Sequence, residues 1–195
     1  MPKLAPEVGY NGAYTKIDRL GLHALVQEVR DVLTSFRLEV LEEKEANGGA
    51  SVRELVDAAF VAKGGWTNTA TGDVDWRKCK VVNGTQLCVG IEVQISARSD
   101  LLVIDVIHLR DALEKGDIDV AVIVVPTDRL AFFLPSRAPS LADARRHVEL
   151  ARAEELPILI IPFEHDGAGT ALPKRRTRQG RLPDTVAEVP PDDEA

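Results

Sequence analysis

Two acids and an amide in the middle of the chain are of the types that bind a divalent cation. Segment 89–95 reads VGIEVQI, in which apolar and polar residues alternate as they do in a β-strand. This period predicts Glu92 and Gln94 on one exposed face and the apolar residues on the other. A further acid, Asp75, stands just before another segment of strand character. Because paired strands lie about 5 Å apart, Asp75 and Glu92 can share one divalent cation.

A carboxylate pair that holds Mg²⁺ can activate water and polarise a phosphodiester, so this pattern favours metal-assisted hydrolysis. The predicted ligands are Asp75, Glu92 and the carbonyl oxygen of Val93. Gln94 cannot act as a base and would orient the attacking water or bind the substrate. Asp73 would share the face of Asp75 in a strand and is the alternative to it. Acids on an exposed strand face are also common where no metal binds.

Composition and charge restrict the class of protein. The chain has 195 residues, 45% of them hydrophobic, and a net charge of −7. This charge argues against a protein that coats nucleic acid, but a nuclease remains compatible with it because its metal ligands are acidic. No apolar run approaches the roughly 20 residues that cross a bilayer, and the first residues lack a secretory signal. We therefore expect a cytoplasmic protein that does not associate with a membrane and does not use a nucleotide cofactor.

The centre of the chain predicts a hairpin, with strands at 73–82 and 86–95 and an Asn-Gly turn between them. Cys79 and Cys88 fall on the two strands. A disulfide between them is conceivable, whereas free thiols are the expectation in the cytosol.

The other elements follow from periodicity and helix-end residues. Helices are predicted at 16–44, at 51–62 after a Ser51–Glu54 capping box, at 101–115 and at 140–155; strands are predicted at 118–125, 130–134 and 157–162. This order predicts an α/β fold, a mixed β-sheet flanked by helices. The predicted domain spans 1–166, with N-terminal helices at 16–62 and a catalytic core at 66–163. Residues 167–195 are predicted to be a flexible charged tail.

Three segments resemble the BglII/BstYI type of restriction endonuclease, a branch of the PD-(D/E)xK nuclease superfamily related to BamHI. They are Asp75-Trp76, the strand at 89–94 and the segment 115–124, which reads KGDIDVAVIV. The resemblance covers about 52–163. It implies a restriction-endonuclease-like sheet and a Mg²⁺-dependent type II enzyme that cleaves double-stranded DNA at a short palindromic site. It also implies a homodimer, for which the helices at 16–44 or 101–115 would supply the interface.

The resemblance also implies roles for individual residues. Asp75 and Glu92 match the metal ligands, and Gln94 stands where many superfamily members carry Lys. The missing Lys departs from the general superfamily motif and agrees with the BglII subgroup. Glu54 would correspond to an upstream acid that some relatives bring to the site.

DNA contacts are expected from a loop at 134–140 and from basic residues. The candidates are Arg98, Ser136, Arg137, Ser140, Lys174, Arg175 and Arg176. Arg137 would make a bidentate contact with guanine, and the basic cluster at 174–176 would contact the DNA backbone. The alternative is a plain turn in which Ser140 caps a helix, followed by a solvated tail.

Two other functions fit the same residues. One is a structure-specific or repair nuclease of the same superfamily, which would cut without a defined sequence. The other is a non-catalytic DNA-binding protein that kept the fold. The complete set of Asp75, Glu92 and Gln94 disfavours the second, since acids without a metal repel phosphate.

Overall fold

A computed structural model describes residues 1–68, 74–96 and 98–174. The helices are α1 (Ala13–Arg19), α2 (His23–Leu33), α3 (Gly49–Lys63), α4 (Leu102–Lys115), α5 (Asp128–Phe133) and α6 (Leu141–Leu150). The strands are β1 (Lys3–Leu4), β2 (Val8–Gly9), β3 (Glu39–Val40), β4 (Thr67–Asn68), β5 (Trp76–Val82), β6 (Thr85–Val93), β7 (Val120–Pro126), β8 (Ile158–Glu164) and β9 (Gly167–Ala168). Within these residues, no helix is both long enough and apolar enough to cross a membrane.

A mixed β-sheet forms the centre of the protein. Its order is β1-β8-β7-β6-β5-β4, with β2 also paired to β8. The inner strands β6, β7 and β8 run parallel, whereas β5 and the edge strands are antiparallel to their neighbours. Every residue of β7 is buried, as expected for a strand covered on both faces. The predicted α/β fold with a helix-flanked mixed sheet is confirmed.

Strand β6 separates two hydrophobic cores. Ile91 and Val93 pack in the core that α2 and α3 cover. Cys88, on the opposite face of the strand, packs in the core formed with Leu102 and Val106 of α4. Glu92 is four residues after Cys88 in the same strand, so the two side chains share a face and that of Glu92 points toward α4.

The predicted hairpin is present. Val82 pairs with Thr85 across the Asn83–Gly84 turn, and both turn residues have positive φ angles. Cys79 lies directly opposite Cys88, and the two form a disulfide. The expectation of free thiols is therefore wrong, because register places the two cysteines at facing positions of adjacent strands.

Three helix predictions need correction. The segment 16–44 contains most of α1, all of α2 and strand β3, and the two helices are separated at Gly21 with φ +64°. The expected capping box at Ser51 is absent, because α3 begins after Gly48 and the Ser51 hydroxyl donates to the Pro173 carbonyl at 2.8 Å. The predicted helix at 140–155 is shorter than expected and ends at Leu150.

The predicted strand at 130–134 is also wrong, since most of it lies in α5. The Thr127 hydroxyl caps this helix by accepting from the Leu130 amide at 3.1 Å. Asp128 follows in the first turn, where an acid favours a helix. A cap and an acid thus outweigh the apolar run that suggested a strand.

Asp119 and Gly90 fix the position of β6 beside β7. The Asp119 carboxylate accepts from the Cys88 amide at 2.8 Å, and the Asp119 amide donates to the Cys88 carbonyl at 2.8 Å. A Cβ added at Gly90 would lie 2.8 Å from Ile118 Cδ1, so only glycine allows this close approach. These contacts set the register in which Glu92 lies beside Ile123.

The chain beyond residue 166 contacts the domain as far as the description reaches. Strand β9 pairs in parallel with β3, and the Gly48 amide donates to the Leu172 carbonyl at 3.0 Å. Residues 175–195 lie outside the described part, so the division into a domain and a tail stays a prediction.

The side chain of Asn47 connects three parts of the chain, at Leu41, Phe133 and Leu172. Its side chain is fully buried and donates to the carbonyls of Leu41 at 2.8 Å and Phe133 at 3.0 Å. Its amide oxygen accepts from the backbone amides of Leu41 at 3.0 Å and Leu172 at 3.2 Å. One polar side chain thus satisfies four backbone contacts inside the protein.

We expect Asn47→Ala to lower the free energy of unfolding by about 2–4 kcal/mol, because it removes the side-chain hydrogen bonds and leaves the backbone amides of Leu41 and Leu172 without their acceptor. Urea denaturation followed by circular dichroism measures this change. Asn68→Ala, at an exposed position of β4, is the matched control and should change stability by about 0.5 kcal/mol or less. Equal effects of the two substitutions would contradict this role of Asn47.

Candidate active site and metal centre

Asp75 lies just before β5, next to the end of β6. One carboxylate oxygen, Oδ2, accepts from the Val93 amide at 2.8 Å. The other, Oδ1, lies 3.1 Å from Nη2 of Arg53 on α3. The carboxylate is thereby held against β6 by a backbone contact and an ion pair.

Glu92 lies against Asp75 in the interior. The side chains of Glu92 and Asp75 form a hydrogen bond, so the structure brings together the two acids selected from the sequence. Only 4% of Glu92 is exposed, and the prediction of an exposed acid face is wrong because α4 covers it. Burial, followed by the negative charge of Asp75, raises the pKa of Glu92 to about 10.

Asp105 and His108 of α4 complete a cluster with Glu92. One potential ligand atom from each of the three side chains lies within 4.8 Å of the others. Burial, with the negative charge of Asp75 second, raises the pKa of Asp105 to about 6. Sequence reasoning missed this pair. Their i, i+3 spacing, which places both on one side of a helix, could have identified them.

Gln94 follows Glu92 on the same face of the chain. It is 5% exposed, and its Oε1 atom is buried without a hydrogen-bond partner in the described structure. Its backbone amide donates to the Val124 carbonyl at 2.8 Å, which fixes the main chain at this point. A buried carbonyl oxygen without a partner is unfavourable, so this atom is suited to bind a water, a cation or a substrate group.

Arg53 is a second residue that sequence reasoning missed. Its Nη1 atom donates to the Val93 carbonyl at 2.5 Å. Its Nε atom lies 2.9 Å from both carboxylate oxygens of Asp57, and Asp57 Oδ1 accepts from Trp76 Nε1 at 3.1 Å. Its i, i+4 pair with Asp57 is also common on exposed helix surfaces, and its partners in the site, Asp75 and Val93, are distant in sequence.

Glu54 and Asp73 are the other acids that the sequence predicts for the site. Glu54, the neighbour of Arg53 on α3, is exposed, and its role as an upstream acid stays a prediction. Asp73 lies outside the described residues, as do Arg175 and Arg176.

Several predicted DNA contacts lie close to the end of β6. Arg98 is exposed and paired with Asp100. The loop carrying exposed Ser136 and Arg137 lies beside it, since the Ser99 amide donates to the Arg137 carbonyl at 2.7 Å. These positions are compatible with DNA contacts, which stay predictions.

Lys174 and Ser140 have different surroundings. Lys174 is exposed and lies beside the start of α3, since a Cβ atom added to Gly48 would lie 2.9 Å from Lys174 Cα. The start of α3 also lies close to the segment that follows β6, because a Cβ atom added to Gly49 would lie 2.9 Å from the Ile95 carbonyl oxygen. Ser140 and Asp143 form a capping box on α6, so the hydroxyl of Ser140 already has a structural use.

The donor set fits a divalent cation. Carboxylate oxygens are ligands for Mg²⁺ and Mn²⁺, and an imidazole is compatible with Mn²⁺ and other transition metals. The carboxylate of Asp75 lies close enough to Glu92 and Asp105 to raise the pKa of both. A cation bound among them would relieve this repulsion and would favour the ionised form of Glu92.

The raised pKa of Glu92 has a consequence for stability. The folded protein retains a proton that the unfolded chain releases above its ordinary pKa of 4.5. In metal-free buffer, this group therefore makes the free energy of unfolding fall as pH rises from about 5 to 10, by at most about 1.4 kcal/mol per unit. We expect Glu92→Gln to remove this fall, so that its advantage in stability grows between pH 6 and 9.

Urea denaturation in EDTA at several pH values measures this difference. Glu114→Gln, an exposed acid on α4, controls for the loss of a glutamate elsewhere on the surface. Parallel stability curves for Glu92→Gln and the unsubstituted protein would contradict the raised pKa.

Comparisons with known proteins identify the family and agree with the fold. The family model described as restriction endonuclease BglII/BglIII matches residues 10–163. The fold is similar to a solved structure titled "Crystal structure of restriction endonuclease BGLII complexed with DNA 16-mer", with a TM-score of 0.57 and 16% identity, over 82% of this chain and 77% of that one. No curated protein matches the chain. The family model covers most of the sequence and the whole acidic cluster, and the chain belongs to the BglII/BglIII family of restriction endonucleases.

Proposed function

We propose that the protein is a Mg²⁺-dependent type II restriction endonuclease that cleaves double-stranded DNA at a short palindromic sequence. Family membership makes it a site-specific hydrolase of DNA, and the similar BglII structure is a complex with DNA. The observation that carries the metal-dependent mechanism is the contact between the Asp75 and Glu92 carboxylates beside Asp105 and His108.

The residues that would hold the cation are Asp75, Glu92 and the Val93 carbonyl, with Asp105 and His108 as further ligands. When bound, a Mg²⁺ ion supplies Lewis-acid catalysis: it polarises the phosphodiester and lowers the pKa of a water molecule. The hydrogen bond from the Val93 amide orients Asp75, so one side of the site is preorganised by the main chain.

Gln94 would position the attacking water or a phosphate oxygen. Its Oε1 atom is buried and accepts no hydrogen bond, so it can accept one from a water in the site without losing an existing contact. An amide neither gives up nor takes a proton at neutral pH, so Gln94 orients its partner and does not act as a general base.

Exposed basic side chains near the site would bind the DNA backbone and bases. Arg98 and Arg137 lie on adjacent loops beyond β6, and Lys174 lies beside the start of α3. Their charge is local, which reconciles DNA binding with a net charge of −7. Arg137 would contact guanine, and the other two would contact phosphates.

We expect Asp75→Ala or Glu92→Ala to reduce DNA cleavage by about three orders of magnitude or more, because each removes a ligand of the catalytic cation. The measurement is digestion of long, defined DNA with the purified protein in Mg²⁺ and in EDTA. Discrete fragments that require Mg²⁺ and both acids are the expected result. Gel-shift assays in Ca²⁺ should show that both variants still bind DNA.

The control is Glu114→Gln, which changes an exposed acid on α4 and should cleave normally. Undiminished cleavage by both the Asp75 and Glu92 variants would overturn the site assignment. A smear without discrete fragments would favour a structure-specific or repair nuclease. Uncut DNA that binds equally with and without metal would favour a non-catalytic DNA-binding protein.

The proposed palindromic specificity requires two active sites related by the two-fold axis of the DNA, and thus a homodimer. Between the two predicted interfaces, α4 has exposed apolar side chains at its start, with Leu101 37% and Ile104 46% exposed. Val103 and Ile107 beside them are partly buried. We therefore place the dimer interface on this surface of α4.

Ile104→Glu is expected to weaken dimerisation by at least about tenfold, because it places a charge in an apolar interface. Sedimentation equilibrium over a range of concentrations measures the dissociation constant. Leu150→Glu is the matched control, since Leu150 is 63% exposed at the end of α6. Equal dissociation constants for the two variants would argue against an interface on α4.

A further inference from the structure

Arg53 binds the oxygen atoms that the active site would present to a cation. Its Nη2 atom pairs with Asp75 Oδ1 at 3.1 Å, and its Nη1 atom donates to the Val93 carbonyl at 2.5 Å. Asp75 and the Val93 carbonyl are two of the five proposed metal ligands. In the protein without metal, a guanidinium therefore occupies these positions.

The rest of Arg53 is anchored away from these two oxygens. Its Nε atom lies 2.9 Å from both carboxylate oxygens of Asp57, which itself accepts from Trp76 Nε1 at 3.1 Å. The Trp76 ring stacks on Phe60 with centroids 5.1 Å apart. Arg53 can thus release Asp75 and Val93 while its bond to Asp57 keeps the guanidinium beside the site.

The charge of Arg53 reaches the other acids as well. The side chain is 20% exposed, so its interactions are only partly screened by solvent. Its positive charge attracts the carboxyl groups of Glu92 and Asp105 as well as that of Asp75. A divalent cation in the same place would act on these carboxylates in the same direction and more strongly.

We propose that Arg53 is an internal competitor of the divalent cation. It positions the Asp75 carboxylate and the Val93 carbonyl in the metal-free protein and gives up these two oxygens when the cation binds. This inference rests on the proposed metal-dependent function and concerns the binding step alone. Arg53 is a positioning residue in this role, since it acts through Asp75 and Val93.

The direction in which metal affinity changes when Arg53 is replaced distinguishes competition from simple support of the site. If Arg53 only supported the site, its loss would disorder Asp75 and weaken metal binding. If Arg53 competes, its loss removes both a repulsive charge and a rival for two oxygens, and metal binding becomes tighter. For a unit charge close to a divalent ion in a partly buried site, we expect a change on the order of tenfold.

The test is a titration of the DNA-free protein with Mn²⁺, in which electron paramagnetic resonance measures the free ion. Arg53→Met, which keeps an unbranched apolar stem and removes the charged guanidinium, should bind Mn²⁺ about tenfold more tightly than the unsubstituted protein. Arg53→Lys, which keeps the charge, should remain within about threefold of the unsubstituted protein. Asp105→Asn, which removes a proposed ligand, should weaken binding.

Thermal unfolding supplies a readout that does not depend on catalysis. Without metal, Arg53→Met should unfold at a lower temperature than the unsubstituted protein, because the carboxylates lose their cation. Saturating Mn²⁺ should reduce this difference, since a ligand that binds the variant more tightly stabilises it more. A difference that persists or grows in Mn²⁺ would overturn the proposal.

A measurement on the unsubstituted protein avoids dependence on a variant that fails to fold. In a Mg²⁺ titration, the side-chain N–H resonances of Arg53 should shift with the same saturation as the backbone resonance of Val93. Unmoved Arg53 resonances at saturation, or Mn²⁺ binding by Arg53→Met that is equal or weaker, would overturn competition. Failure of the unsubstituted protein to bind Mn²⁺ would remove the metal-dependent function as well.

Discussion

The contact between the buried carboxyl of Glu92 and the half-buried carboxylate of Asp75 is the constraint on which the active site depends. Two like charges in a medium of low polarity repel each other, and a carboxyl left in that position retains a proton. The fold holds them together through β-sheet pairing, which is stronger in sum than the repulsion. Trp76, next to Asp75, pairs with Ile91, next to Glu92. The site is therefore built from backbone geometry, and its side chains cannot relax apart.

The surrounding elements hold the two acids in place and supply the other side chains of the site. The carboxylate of Asp119 and the small size of Gly90 fix β6 beside β7 and Ile118. Helix α4 covers Glu92 and contributes Asp105 and His108. Helix α3 contributes the guanidinium of Arg53. The segments that resemble the family thus contain residues with two different roles. Asp119 fixes β6 beside β7, whereas Glu92 is an acid of the active site.

The sequence predicted those parts that depend on local pattern. The alternation around Glu92, the Asn-Gly turn and the apolar strand β7 each follow from residues close together in the chain. Predictions failed where distant segments decide the outcome. The burial of Glu92 depends on α4, and the contact of Arg53 with Asp75 joins residues from separate elements. The disulfide depends on the register that places Cys79 opposite Cys88. The error at α5 was different in kind, because the cap at Thr127 that makes this apolar segment a helix is a local signal.

The charges of the metal-free site suggest why metal and DNA should bind together. At neutral pH, with Glu92 protonated, the carboxylates of Asp57, Asp75 and Asp105 face one guanidinium. The acids thus exceed the guanidinium by two charges, and a phosphate brought to this site would be repelled. A divalent cation would offset that excess and release Arg53 toward the incoming phosphate. Each ligand would then favour the binding of the other, as linkage requires. A nuclease built in this way engages its scissile phosphate only when the cation is present.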